Sequence, residues 1–470
     1  MDIEVGHVPV APSPPPRRRG VVVALVAAVG LVVIGLIVWF FVVPRTGDNA
    51  GSPGPRPVPD ILAQPRWSDA IDVPGLLQVR GVVDPEAGDI AIVWGLSSEE
   101  PTSPDASGTY GFQAVNLATG AHLWSVVRDA TVGDQAPQPV GSGGYLVIPV
   151  TNVVPGTQAW TTRFESIEAR TGKSQGTVTL AEQEYLYVDA GMALTSGDAG
   201  TCARDLANPS ACRWKTTGAV TGLIGLSPVF GGGRWVNTDA GVLDVRTGKP
   251  AGFGADGTYY DGPDPEHIVR VDRDARTVQP WDTTHDRPLN LAVHIGGVPP
   301  DGGGYIIDPA ASRLVVPAAD FGAAGSIVTS YDWGAGEQRW QTTVHSTSLT
   351  VGGVACAGTV LVRDGSTSSY VVAPTTALSA SDGRPLWNDQ VLLVGSGQRV
   401  VYLGGSGGSP VLDAYDAASA DFAHLWSLDW PAALFNIVTA AGHVVAISMP
   451  PPMDSPAPGD TNHLWVLSGA

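Results

Sequence analysis

A unit of eleven residues, 114–124 (AVNLATGAHLW), recurs along this 470-residue chain and restricts what it can fold into. It reads as a strand, a tight Thr-Gly turn and a return strand ending on Trp124. With Gly120 as reference, the same frame falls on Gly172, Pro209, Gly248, Asp286, Gly336, Gly383 and Ala420. The intervals are 52, 37, 39, 38, 50, 47 and 37 residues, about 43 on average, which suits a repeated four-stranded sheet. Four residues before the reference stands Asn116, Glu168, Asp205, Asp244, Asp282, Asp332, Ser379 or Asp416. A short acceptor there can take the backbone N–H groups of the turn ahead of it. Gly or Asp at the reference tolerates the positive φ of a two-residue hairpin. Trp closes the unit at Trp124, Trp214, Trp340, Trp387 and Trp426, where a large flat side chain can pack between neighbouring sheets. Gly176, Gly252 and Asn290 hold that place in the other copies, which are degenerate.

The motif resembles the blade-docking motif of the quinoprotein-like, PQQ-repeat β-propellers, A-x-D-x-x-T-G-x-x-x-W, at Ala114, Asn116, Thr119, Gly120 and Trp124. The resemblance covers roughly residues 67–470. That family holds PQQ-dependent alcohol dehydrogenases and a non-catalytic outer-membrane assembly propeller. It implies an all-β chain of about eight four-stranded blades, with seven or nine left open. The strand at Trp67 is expected to complete a last blade that has only three strands after Trp426, removing open sheet edges.

The N-terminus reads differently. Residues 1–20 are Pro-rich and polar, a cytoplasmic disordered tail ending on Arg17, Arg18 and Arg19. Residues 21–43 form an uncharged apolar run that spans about 34 Å as a helix, enough to cross a hydrocarbon core of about 30 Å. The arginines ahead of it place the N-terminus in the cytoplasm and the rest outside. The run is longer than the apolar core of a cleaved signal peptide and no A-x-A follows it, so it reads as a signal anchor. Residues 44–66, with six prolines, form a stiff linker, and the β-propeller occupies 67–470.

Net charge is −19, and residues 1–20 carry +1, leaving −20 on the remainder. That excludes nucleic acid as a natural partner and favours solubility or cationic partners. Three Lys beside 23 Arg suit a GC-rich bacterial source. Cys202 and Cys212 bracket the third hairpin and outside the cytoplasm are expected to form a structural disulfide, leaving Cys356 as a buried thiol. The dehydrogenases of the resembled family place a disulfide of adjacent cysteines against PQQ; no Cys-Cys pair exists here, and none of their catalytic positions is matched. PQQ is therefore not expected, and no catalytic, cofactor-binding or metal residue is assigned. No zinc spacing links the nine His, and the acidic stretch 261–266 lacks calcium-loop spacing and reads as a solvated turn. The expectation is a membrane-anchored, extracytoplasmic propeller that binds or scaffolds proteins of the cell envelope. The alternatives are a PQQ-like oxidoreductase or other enzyme with a site in the central channel, and a small-ligand sensor.

Overall fold

The computed structural model describes residues 58–469, except 99–106, 132–136, 154–159, 182–183, 222–227, 254–257, 265, 273–274, 276, 290–292, 295–305, 309–312, 321–324, 334, 345–350, 365–371, 406–410, 432–433 and 449–461. The tail, the apolar run and most of the linker lie outside the described residues. Residues 44–470 form one compact unit. Among the described residues there is no helix; every regular element is a strand, and nearly all strands pair antiparallel with their sequence neighbours.

Eight hydrogen-bonded sheets result, and one of them has seven strands. Its long strand Pro385–Ser396 pairs through its first half with Ala373–Ser379 and through its second half with Val400–Gly404, so that sheet is two blades sharing a strand. The blades then run 78–131, 140–179, 185–216, 229–244, 258–294, 306–344, 351–391, 392–429, and a closing blade built on 434–468. Among the described residues blade 4 has three strands, Val229–Phe230, Trp235–Thr238 and Gly241–Asp244. The closing blade draws Arg66–Trp67 and Ile71–Val73 from the other end of the chain onto Asn462–Ser468. Among the described residues the blades number nine, one of the counts the sequence leaves open beside eight. The weak fifth copy forms a blade of its own, and the strand at Trp67 adds the composite one.

Nine apolar clusters among the described residues each bridge one pair of successive blades, and the last joins the closing blade to blade 1. Ile92 and Phe112 of blade 1 meet Leu146 and Ile148 of blade 2. Val438 and Val445 of the closing blade meet Val93 and Val115 of blade 1. Each sheet is therefore buried on both faces, which is why strands such as Ile90–Leu96 (IAIVWGL) are apolar throughout rather than alternating. The succession closes on itself, the arrangement of a β-propeller, and no blade is left with an uncovered face.

The recurring motif makes the seams. Asn116 Oδ1 accepts from Thr119 N and Oγ1, each at 3.0 Å, and Asp244 Oδ1 accepts from Arg246 N, Thr247 N and Thr247 Oγ1 at 3.1, 2.8 and 2.8 Å. The turn is longer than the two-residue hairpin expected. Asn116 N donates to Ala121 O and Gly120 N to Asn116 O, so four residues loop out before the ladder resumes through a bulge. The left-handed residue still falls on the reference glycine, at φ of 71, 70, 67, 70 and 73° in Gly120, Gly172, Gly248, Gly336 and Gly383.

That glycine faces the preceding blade's tryptophan. Trp124 Nε1 donates to Ala169 O at 2.8 Å, Trp214 Nε1 to Val245 O at 2.7 Å and Trp340 Nε1 to Ala380 O at 2.9 Å. Each acceptor lies three residues before the next turn's glycine. A Cβ on Gly172, Gly248 or Gly383 would come 2.7, 2.6 or 2.5 Å from the indole carbons. Trp387 instead packs on Tyr415 and Phe422, ring centroids 5.4 and 5.8 Å away, because the eighth turn puts its left-handed residue at Phe422.

Degenerate copies fill their seams by other means. Gly176, standing where Trp would, faces Pro209, so bulk has moved from one side of the seam to the other. Between blades 4 and 5, where Gly252 replaces Trp, Trp235, Phe253, Tyr259 and Trp281 pack edge to face with centroids 5.4–5.9 Å apart.

Gly248→Ala puts a methyl group on Trp214 at a left-handed position and should cost about 1–3 kcal/mol locally. Hydrogen exchange should accelerate in blades 3 and 4 and stay unchanged in blades 6 and 7. Uniform acceleration around all nine blades would show that the seam is not the unit of stability.

Candidate functional site

The inner strands end in short turns, and side chains from neighbouring blades stitch these turns together. Asp84, one residue past the inner strand Gln78–Val83, accepts from Glu86 N at 2.7 Å and from Ala441 N of the closing blade at 2.8 Å. Glu86 Oε2 accepts from Gly143 N of blade 2 at 2.6 Å, and Ser142 Oγ accepts from Gly191 N of blade 3 at 3.0 Å. On blade 7, the buried Cys356 thiol donates to Gly397 O of blade 8 at 3.5 Å.

The belt's chemistry changes at blades 3 to 5. Blade 4 turns through Gly231, Gly232 and Gly233, all left-handed at φ of 64, 63 and 82°. Only glycine takes three such residues in a row without strain. Ala190 of blade 3 closes on Gly233, and the Trp235 ring closes on Gly231. The turn's N–H groups point at blade 5, where Gly232 N donates to Asp261 Oδ1 at 3.0 Å and Gly231 N also bonds that carboxylate. Asp189, itself buried, ends blade 3's inner strand Tyr185–Asp189 beside the same turn. Burial pushes the Asp261 carboxyl up to about 7 and the negative charge of Asp189 pushes the same way, against the two N–H groups that favour the carboxylate. A carboxyl so placed exchanges a proton near neutral pH.

Asp261 is not the first residue of a solvated turn. It sits within the inner strand Thr258–Asp264, whose register slips between Tyr260 and Asp264 and aims it at blade 4. The sequence gives no sign of this, since the burial comes from the Gly-Gly-Gly turn of another blade.

A second electrostatic feature ties blade 1 to blade 2. Arg128 Nε and Nη2 donate to Glu165 Oε2 and Oε1 at 2.5 and 2.9 Å. Burial raises the Glu165 pKa, but hydrogen bonds from Arg128 and Ser174 outweigh it and hold the carboxyl below its ordinary range. Bidentate geometry of this kind fixes orientation as well as attraction.

Cys202 and Cys212 are joined by a disulfide, Cα atoms 5.6 Å apart. It closes the hairpin that carries Pro209 toward blade 2 and leads into Trp214, which docks on blade 4. The five motif tryptophans are distributed over five seams and do not converge on a site. The disulfide joins residues ten apart on the third strand and the following hairpin of blade 3, not neighbours against a cofactor face. Among the described residues no three His, Cys, Asp or Glu are grouped as metal ligands.

No protein-family model matches the chain, and no curated protein matches its sequence. Solved structures do. BamB from Moraxella catarrhalis is 12% identical, with a TM-score of 0.33 over 73% of this chain and 97% of that one. A europium-containing methanol dehydrogenase is 12% identical, TM-score 0.39, over 86% and 93%. Hsv2p from Kluyveromyces lactis is 7% identical, TM-score 0.35, over 75% and 99%. Likeness at this level names no family for the chain.

Two measurements follow. The Asp261 carboxyl has a folded-state pKa above its ordinary 3.8, so ionisation is disfavoured in the fold. The penalty is absent below about pH 4 and grows as pH rises toward 7. Asp261→Asn should therefore gain stability relative to the parent across that window and none below it, in denaturant titrations at stepped pH. Replacing Cys202 and Cys212 by Ser should cost about 2–3 kcal/mol, the closure entropy of a ten-residue loop, with exchange faster in blade 3 first.

Proposed function

We propose that this chain is a membrane-anchored, extracytoplasmic β-propeller that serves as a binding or scaffold module for proteins of the cell envelope. One observation carries the reading: the polar and aromatic groups that recur from blade to blade are engaged in holding blades together. Asn116 and Asp244 cap their own turns, the motif indoles dock on the next blade, and Asp84, Glu86 and Ser142 accept backbone N–H groups of neighbouring turns. A frame so occupied offers its connecting loops as the variable surface, and loops set what a rigid scaffold binds. The acidic body favours a basic partner face and disfavours nucleic acid. The anchor is the run at 21–43, with the N-terminus cytoplasmic. In this reading PQQ plays no part.

Asp261 favours a second reading, a small-ligand sensor, because a carboxyl poised near neutrality beside Asp189 is where a cationic ligand or a proton would register. The two readings separate in one preparation. The full chain, carrying photo-crosslinkers on its inter-blade loops, is irradiated in its native envelope and then purified. A specific protein adduct mapping to those loops supports the scaffold. A small molecule retained at the inner turns, with no protein adduct, overturns it. Placement is tested separately by a reporter that works only outside the cytoplasm, fused after Ala470. It should be active, and silence would reverse the topology.

A further inference from the structure

The seam between blade 8 and the closing blade lacks the turn that receives Trp124, Trp214 and Trp340 at their seams. The closing blade's third strand, Asn462–Ser468, is the last described strand, and its outer strands, Arg66–Trp67 and Ile71–Val73, are the first two. No hairpin joins them, so no turn carbonyl is offered to Trp426. Residues 58–61 (VPDI) fill the gap. Trp426 Nε1 donates to Ile61 O at 2.9 Å. Asp60 Oδ1 accepts from Arg399 N and Val400 N, both at 2.8 Å. Tyr402 donates its hydroxyl hydrogen to Pro59 O and accepts from Ile61 N at 3.0 Å. Val58 is 3% exposed, in an apolar cluster with Leu392, Tyr402 and Trp426. Gly397 makes the space; a Cβ there would lie 2.7 Å from Val58 O and closer still to the Asp60 carboxylate.

We propose that this seam is a peptide-binding slot for an extended apolar-Pro-Asp-apolar segment, and that residues 58–61 are its ligand supplied in cis. The contacts are those of a ligand rather than of a strand. The segment joins no ladder, and its recognition comes from side-chain donors and two turn N–H groups. Pro59 has no N–H, and the slot asks for none. Asp60 serves as a short acceptor for paired N–H groups, the chemistry by which the motif's own aspartates cap their turns. Burial raises the Tyr402 pKa to about 12, so its hydroxyl remains a donor throughout the physiological range. Leu62 (48% exposed) and Ala63 then lead out of the slot before the chain enters the sheet at Arg66. The same segment from a second copy, or a partner peptide of that pattern, meets the same donors.

The test uses the full chain carrying Asp60→Ala, to weaken the resident segment, and a protease recognition sequence at the exposed Leu62–Ala63 link, cut after folding. The probe is a fluorescent peptide of residues 57–64 (PVPDILAQ). The cut protein should keep its circular dichroism and bind the probe, while the uncut parent should not. A probe carrying the Asp60→Ala change should bind at least tenfold more weakly, and Tyr402→Phe in the protein should weaken the unaltered probe by a similar factor. Equal binding of both probes, or no binding by the cut and folded protein, overturns the proposal. So does unfolding on cutting, which would make the segment part of the folding unit rather than a ligand.

Discussion

One contact recurs at three seams and is replaced at the others: an indole lying on a glycine that belongs to the next blade. The indole N–H donates to a carbonyl three residues earlier, and the glycine's left-handed φ keeps any Cβ from the ring face. Neither half is useful alone. A Cβ in place of the glycine would collide with the ring, and a glycine without the tryptophan needs another side chain to fill its space, as Ile71 does at Gly120. The contact fixes the distance and rotation between blades and lets the apolar clusters form behind it. The degenerate seams support this view, because each preserves filled volume by other means. Pro209 faces Gly176, four aromatic rings occupy the space beside Gly252, and Phe422 takes the place of the glycine against Trp387.

Closure raises a difficulty that a repeated seam does not solve. In this chain the closing blade is assembled from both ends, and the turn between its third and outer strands is then missing. Here strands from both ends pair on Asn462–Ser468, and Trp67 and Gln64 donate from the incoming segment to Asp429 O and Ser427 O of blade 8. Ile71 covers Gly120 in place of the tryptophan that blade 1's turn would otherwise meet. The segment ahead of Trp67 is therefore docked on the propeller, which its composition, Pro-rich and linker-like, does not advertise.

Legibility in the sequence follows the range of the interaction. The motif turns were readable because their determinants lie within eleven residues: an acceptor, a left-handed glycine, a tryptophan. The closing strand at Trp67 was readable because it copies the tryptophan strands elsewhere. The length of the turn is not legible, since a four-residue loop with a terminal left-handed glycine offers the same residue types as a shorter hairpin. The docking of Val58 to Ile61 was not readable at all. Its partners, Tyr402, Arg399 and Trp426, lie more than 300 residues away, and nothing local distinguishes it from the prolines before it. Asp261 was hidden for the same reason, its environment being made by a glycine turn on another blade and by Asp189 on a third.

These two hidden features are also where the frame departs from its own rule. Elsewhere a polar side chain on the inner turns takes an N–H of its neighbour. At Asp261 the same arrangement sits deep enough, and near enough to a second carboxyl, that the neutral form competes. At the last seam a turn is replaced by a segment tied to the blade on one side through an exposed link. A propeller of nine blades held by identical contacts would be stable and inert. Chemistry and exchange enter where the contact is replaced by something with two states, a carboxyl that holds or loses a proton and a segment that is docked or displaced. Those two places, rather than the repeated seams, are where a response to the surroundings would begin.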